Sequence, residues 1–182
     1  MTEGKKPDTN VEGVIEDTPA PRVLPDNEVL NGLIGGFEDV VWLESNGQDV
    51  VHVPSEAWLE FARAARDAGF EVCADVTVVD WMRKRPERFE VVANLLSMSK
   101  RLRLRMATTT GREDPRVASL VPVWPGVNFA EREAYDMFGV VFDGHPDLTR
   151  ILMPDEWEGH PLRKDFGVGA VPVQFKESHT VS

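Results

Sequence analysis

Residues 37–69 read FEDVVWLESNGQDVVHVPSEAWLEFARAARDAG, and the order of elements they specify decides the fold. Phe37 to Glu44 and Gln48 to Val53 are two short β-prone runs. Asn46-Gly47 joins them, a pair that reaches positive φ at little cost and so predicts an antiparallel hairpin. Ser55 then predicts a helix cap, and the helix runs to about Ala68. Trp58, Phe61, Ala62, Ala65 and Ala68 fall on one stripe, with Glu60, Arg63 and Asp67 off it. Gly69 supplies the stop.

Upstream, Asp26 or Asn27 caps a short helix whose apolar positions are Val29, Leu30, Leu33 and Ile34, ended by Gly35-Gly36. Residues 1–25 carry four prolines, many acidic residues and no apolar period. That composition predicts a disordered acidic tail, because it cannot bury enough surface to offset its ordering entropy. Downstream, Glu71 to Asp80, Arg88 to Met98, Lys100 to Thr108 and Val117 to Val123 read as strands. A last helix is expected from Asn128 as N-cap, with Glu131 close to a capping-box position. Its apolar stripe is Ala130, Ala134, Met137, Phe138 and Val141. Arg132, Glu133 and Asp136 make the opposite, solvated face, with Arg132 and Asp136 four residues apart.

The order helix-β-β-helix-β-β-β-helix specifies an α+β fold: a two-layer domain over residues 26–142, its helices on one side of a mostly antiparallel or mixed sheet. From Asp143 onward the periodicity disappears. Leu148, Ile151, Leu152, Met153, Trp157, Leu162 and Phe166 are too many large apolar groups for a solvated tail, so residues 143–182 are expected to be an extended interaction arm.

The chain has 182 residues, 42% of them hydrophobic, enough for one domain with a real core. No run approaches the roughly 18 apolar residues of a membrane span, and Met1 is followed by polar sequence, so a soluble, cytosolic chain is expected. The single cysteine, Cys73, cannot form an intrachain disulfide, and an iron-sulfur cluster usually needs four thiolates. With no basic neighbour to activate it, Cys73 reads as a small buried filler.

Net charge is -11, but residues 81–105 hold eight Lys or Arg against two Glu. In Arg101-Leu102-Arg103-Leu104-Arg105-Met106, alternation puts three guanidinium groups on one sheet face. A nucleic-acid reader would add aromatic residues and a basic domain, so a solvated face, or one met by acidic groups of a strand or partner, is the reading. Gly-rich phosphate loops are absent. Ser97-Met98-Ser99 reads as a turn rather than a nucleophile. Gly144-His145-Pro146 and Gly159-His160-Pro161, with Asp147, Glu158 and Asp165, lack metal-ligand spacing and read as two changes of chain direction.

One stretch goes beyond generic reading. Glu131-Arg132-Glu133-Ala134-Tyr135-Asp136-Met137-Phe138-Gly139-Val140, Phe142-Asp143-Gly144-His145-Pro146-Asp147-Leu148, Arg150-Ile151-Leu152 and Glu158-Gly159-His160-Pro161-Leu162-Arg163-Lys164-Asp165-Phe166 follow one another in fixed order. This resembles the C subunit of the bacterial proton-pumping NADH:quinone oxidoreductase (respiratory complex I, NDH-1). The family usually has a second basic residue where this chain has Thr149, and Pro where it has Gly167. The resemblance implies a chain with no catalytic residue, metal or cofactor of its own. FMN and iron-sulfur clusters belong to partner subunits, and NADH and quinone are substrates of the whole complex. It implies a hetero-oligomer, the chain packing chiefly on the D subunit with the B and I subunits nearby, peripheral to the cell membrane on its cytoplasmic side, with no nucleic acid. The partner surface it implies carries Glu131, Arg132, Glu133, Tyr135, Asp136, His145, Asp147, Arg150, Trp157, His160, Arg163, Lys164, Asp165 and Phe166. Alternatives are the equivalent subunit of a membrane-bound hydrogenase or a ferredoxin- or deazaflavin-linked complex, and an independent hydrolase or metalloenzyme.

Overall fold

The computed structural model describes residues 24–82 and 84–167. The acidic tail, apart from Leu24 and Pro25, and residues 168–182 of the arm lie outside the described residues. The chain begins with helix α1 (Glu28–Gly35), where Asn27 Oδ1 accepts from the Val29 and Leu30 N–H groups at 3.0 and 3.3 Å. The hairpin follows as β1 (Val41–Ser45) and β2 (Gln48–His52), with Asn46 and Gly47 at φ 52° and 73°. Two consecutive left-handed residues make the tight turn that matches the twist of paired strands.

Helix α2 spans Trp58–Asp67 and starts later than the Ser55 cap predicts. Ala57 and Trp58 N–H groups donate back to Pro54 and Ser55 carbonyls, so a turn of chain precedes the helix, and no side chain caps it. Its end follows expectation. Gly69 sits at φ 98°, and the Phe70 and Gly69 N–H groups bond the Ala65 and Arg66 carbonyls in a Schellman arrangement.

Strands β3 (Val72–Asp80), β4 (Phe89–Ser97) and β5 (Leu102–Thr110) form an antiparallel meander. The hairpin joins it through β2, which runs parallel to β5 with Val51 opposite Met106. The five-stranded sheet is therefore mixed, in the order β1-β2-β5-β4-β3. Its inner face, with Val51, Leu104, Met106, Ala93, Val91 and Val78, packs with Ile34 of α1, Trp58 and Phe61 of α2, and Phe70 in one continuous core. None of the side chains of its outer face belongs to that core: Val41 and Leu43, Val50, Arg103 and Arg105, Val92 and Asn94.

The strand predicted over Val117 to Val123 forms only as β6 (Arg116–Ala118), and it leaves the main sheet. It pairs in parallel with β7 (Val141–Asp143), the residues that follow the last helix. Pro122 and Pro125 cannot donate to a ladder, and the Ser119 hydroxyl and Leu120 N–H are already held by Glu131. Helix α3 covers Asn128–Phe138 after a short 3-10 turn at Pro125–Val127. Asn128 is helical rather than the cap, since the 3-10 turn runs straight into α3 and leaves Val127 at the cap position. Val141 belongs to β7 because Gly139, at φ 72°, ends the helix.

Candidate interaction site on the last helix and the arm

Helix α3 turns two carboxylates inward, against the expectation of an outward polar face. Glu131 is fully buried, its Oε1 accepting from Leu120 N–H and its Oε2 meeting Ser119 Oγ, both at 2.6 Å. Burial pushes its carboxyl up to about 7, against the opposing hydrogen bonds from Ser119 and Leu120. Glu131 therefore ties α3 to the loop after β6 instead of closing a capping box.

Asp136 is the second. Its Oδ2 accepts from three consecutive backbone N–H groups, those of Ile151, Leu152 and Met153, at 3.0, 2.7 and 2.9 Å. Its Oδ1 meets Arg150 Nη1 at 2.6 Å. Burial raises the Asp136 carboxyl, and the four donors more than offset that, leaving it below the usual aspartate range. Arg132 does not pair with Asp136. It reaches outward to donate to the Thr149 carbonyl, the Thr149 hydroxyl and the Arg150 carbonyl, and lies over the Phe129 ring.

Helix α3 ends with four carbonyls that no helical N–H can reach. The arm supplies their donors. His160 Nδ1 lies 3.0 Å from the Asp136 carbonyl, Leu162 N–H donates to Met137 at 3.0 Å, and Arg163 donates to Phe138 and Gly139 at 2.5 and 3.4 Å. Cations at a helix C-terminus also face the negative end of its dipole. A Cβ on Gly139 would collide with His160 Nε2 and with an Arg163 nitrogen, so the arm sits directly on that glycine. Burial lowers the His160 pKa, and the same ring meets that of Tyr135 edge to face.

Farther along, Asp165 docks on the sheet. Arg88, only 2% exposed, holds Asp80 through Nε and Nη2 at 2.9 and 2.7 Å and Asp165 through Nη1 and Nη2 at 2.7 and 2.6 Å. The Lys164 N–H adds a bond to Asp80 Oδ2 at 2.9 Å, while the Lys164 side chain stays exposed. Burial raises the Asp80 carboxyl, but Arg88 and the Lys164 and Met82 N–H groups more than offset it, leaving it at about 2. Trp157 stacks on Phe166 at 6.4 Å, and Phe166 covers Gly159, whose φ of 86° suits glycine. His145 bridges to the Asn128 carbonyl at 3.3 Å and accepts from Asp147 N–H at 3.0 Å.

The two histidine turns thus do separate work, and no group of three His, Cys, Asp or Glu side chains among the described residues is placed to hold a metal. Glu133 and Asp147 face solvent. Cys73 is half-buried and its thiol is pushed up to about 12 by burial, consistent with a filler role. Arg88 and Asp80, which anchor the arm, went unmarked in the sequence; opposite charges at facing ends of two β-prone runs are the signal that points to them. Large apolar side chains of the arm also remain outside: Leu152 and Leu162 are 55% and 53% exposed, and Ile151 is 36% exposed. On α3, Phe129 is 64% exposed. Among the described residues no helix is long and apolar enough to cross a membrane.

Residues 51–171 match the family described as respiratory-chain NADH dehydrogenase, 30 kDa subunit. The C subunit of an NADH-quinone oxidoreductase from Saccharopolyspora erythraea is 47% identical over 133 residues, covering 71% of this chain and 53% of that protein. Its counterpart from Roseiflexus sp. (strain RS-1) is 44% identical over 157 residues, covering 84% and 90%. The chain spans about half the length of several curated relatives it matches. A trypsin-resistant fragment (1–134) of Nqo5 superposes with a TM-score of 0.60 at 33% identity, covering 66% of this chain and 96% of the fragment. A chain of a membrane-bound sulfane sulfur reductase, an archaeal respiratory membrane complex, shares the fold at a TM-score of 0.70 and 21% identity, covering 85% and 97%. The chain therefore belongs to the family of the 30 kDa subunit of respiratory-chain NADH dehydrogenase.

Proposed function

We propose that this chain is the C subunit of an NADH:quinone oxidoreductase, a non-catalytic piece of its hydrophilic arm. It holds neighbours that carry FMN, iron-sulfur clusters and the quinone site, and it needs no cofactor of its own. The observation that carries the reading is the clasped arm: Arg150, His160, Arg163 and Asp165 are held by the chain's own helix and sheet, while the large apolar side chains of Leu152 and Leu162 are left exposed. Side chains of this size contribute about 1.5–3 kcal/mol each when fully buried. Phe129, Ile151, Leu152 and Leu162 then form the contact with the D subunit, with the B and I subunits nearby, and membrane association on the cytoplasmic side comes through the complex.

Affinity purification of the tagged full chain from its own membranes tests this. Co-purification of the D, B and I subunits is expected, with loss of the first in a Phe129→Ser/Leu152→Ser variant that keeps its fold. Co-purification of hydrogenase subunits instead would assign the chain to a related complex, and capture of no respiratory subunit would overturn the reading.

A further inference from the structure

The outer face of the five-stranded sheet has a composition that a merely solvated face does not need. Among the described residues strand β1 is an edge paired only with β2, and its Val41 and Leu43 are 59% and 37% exposed. Val50 lies opposite Leu43 in register and continues the apolar strip onto β2. Directly beside it, β5 places Arg105 opposite Val50, with Arg103 two residues away on the same face. Arg105 finds only the neutral Asn94 amide, at 3.3 Å, and no described carboxylate lies within ion-pair distance of either guanidinium. The one carboxylate deep in this face, Glu90, is already occupied by Arg85 and the Trp81 indole. Arg101 stands apart from this face: it lies in the β4–β5 turn at φ 55°, so the expected stripe of three is a pair.

An occupant should therefore be a segment with closely spaced carboxylates and β-branched side chains. Residues 8–17 of this same chain, DTNVEGVIED, are such a segment: Asp8, Glu12, Glu16 and Asp17 interleave with Val11, Val14 and Ile15, and residues 7–21 contain no Lys or Arg. Residues 18–23, which join that segment to Leu24, span up to about 20 Å when extended.

We propose that residues 8–17 dock along β1 and across the outer sheet face, their carboxylates on Arg103 and Arg105 and their valine and isoleucine side chains on Val41, Leu43 and Val50. This surface lies on the opposite side of the sheet from the core-facing helices and is independent of the reading given to the arm. Opposed charges on an exposed face are screened by salt, so docking weakens as ionic strength rises.

The full chain with Cys73→Ser and a nitroxide on Val14→Cys tests it by paramagnetic broadening of amide signals. Broadening at Val41, Leu43, Val50 and Arg105 is expected at low salt. It should be relieved at about 1 M salt, where the screening length is about 3 Å. An Arg103→Glu/Arg105→Glu variant should lose the broadening while the remaining amide spectrum stays unchanged. Broadening confined to the groove between α1 and α2 near Val29 and Leu33, or none at all, overturns the proposal. So does broadening that appears when spin-labelled and isotope-labelled chains are mixed, because it would mark a second copy as the occupant.

Discussion

Asp136 and Arg150 meet at 2.6 Å where helix α3 and the arm cross, the aspartate fully buried and the guanidinium largely so. Removing one partner of a buried pair leaves the other uncompensated, at a cost of about 3–5 kcal/mol. Asp136→Ala also strips three N–H groups of their acceptor. The full chain should lose stability on that scale in urea titrations, and Arg150→Met should cost less because Arg150 retains some solvent.

Arg88 joins the sheet to the arm, and its two carboxylates differ in exposure: Asp80 is 1% exposed at the side chain and Asp165 is 47%. Arg88→Met is expected to cost about 3–5 kcal/mol because it strands Asp80 in the interior. Asp165→Asn should cost only about 0–1 kcal/mol, as exposed pairs do. Denaturant midpoints of the two variants should differ accordingly; equal losses would show that Asp165 is as buried in solution as Asp80.

Gly139→Ala combines two penalties. A left-handed residue with a Cβ costs about 1–2 kcal/mol, and the new methyl would collide with His160 and Arg163. Limited trypsin digestion should show faster cleavage after Arg163 and Lys164 in this variant, with the sheet core still resistant.

Glu131 and the aspartates respond to pH in opposite senses. With a native value of about 7 against 4.5 for an ordinary glutamate, Glu131 contributes stability that is full below pH 4.5 and lost as pH rises through 7. A tenfold change in proton affinity corresponds to about 1.4 kcal/mol, so the loss between pH 5 and 8 reaches about 3 kcal/mol. Asp80, held at about 2 against 3.8, contributes stability present above pH 3.8 and lost as pH falls through 2. Urea unfolding at pH 5.5 and 8 should show the first effect in the native chain and not in Glu131→Gln. A flat profile in both would sink the assignment.

The hairpin, α1 and the end of α2 were legible because each depends on neighbours in sequence: Asn46-Gly47 for the turn, Asn27 for the cap, Gly69 for the stop. The parallel pairing of β2 with β5 was not, since nothing in Val51 or in Met106 records the other across the intervening chain. Helix α3 misled for a related reason. Arg132, Glu133 and Asp136 look like a solvated face by period and Glu131 like part of a capping box, but Asp136 is buried by partners at residues 150–153 and Glu131 by partners at residues 119–120, which local spacing does not display. The arm was legible as a segment needing a surface, and through residue 167 it rests on its own chain; the sequence motif alone does not say whose carbonyls its Arg and His residues reach.

The strand order β1-β2-β5-β4-β3 carries a consequence for how the chain acquires its structure. A ribosome releases the β1–β2 hairpin early, yet among the described residues the strand it joins in the sheet is β5, about fifty residues later, and two-stranded hairpins alone are marginal in water. The β3-β4-β5 meander is made of adjacent strands and closes short loops, so it is expected to form first and serve as the template onto which the waiting hairpin is added. Kinetically, Val51→Ala should then speed unfolding with little change in folding rate, whereas Ala93→Gly, in the middle of the meander, should slow folding.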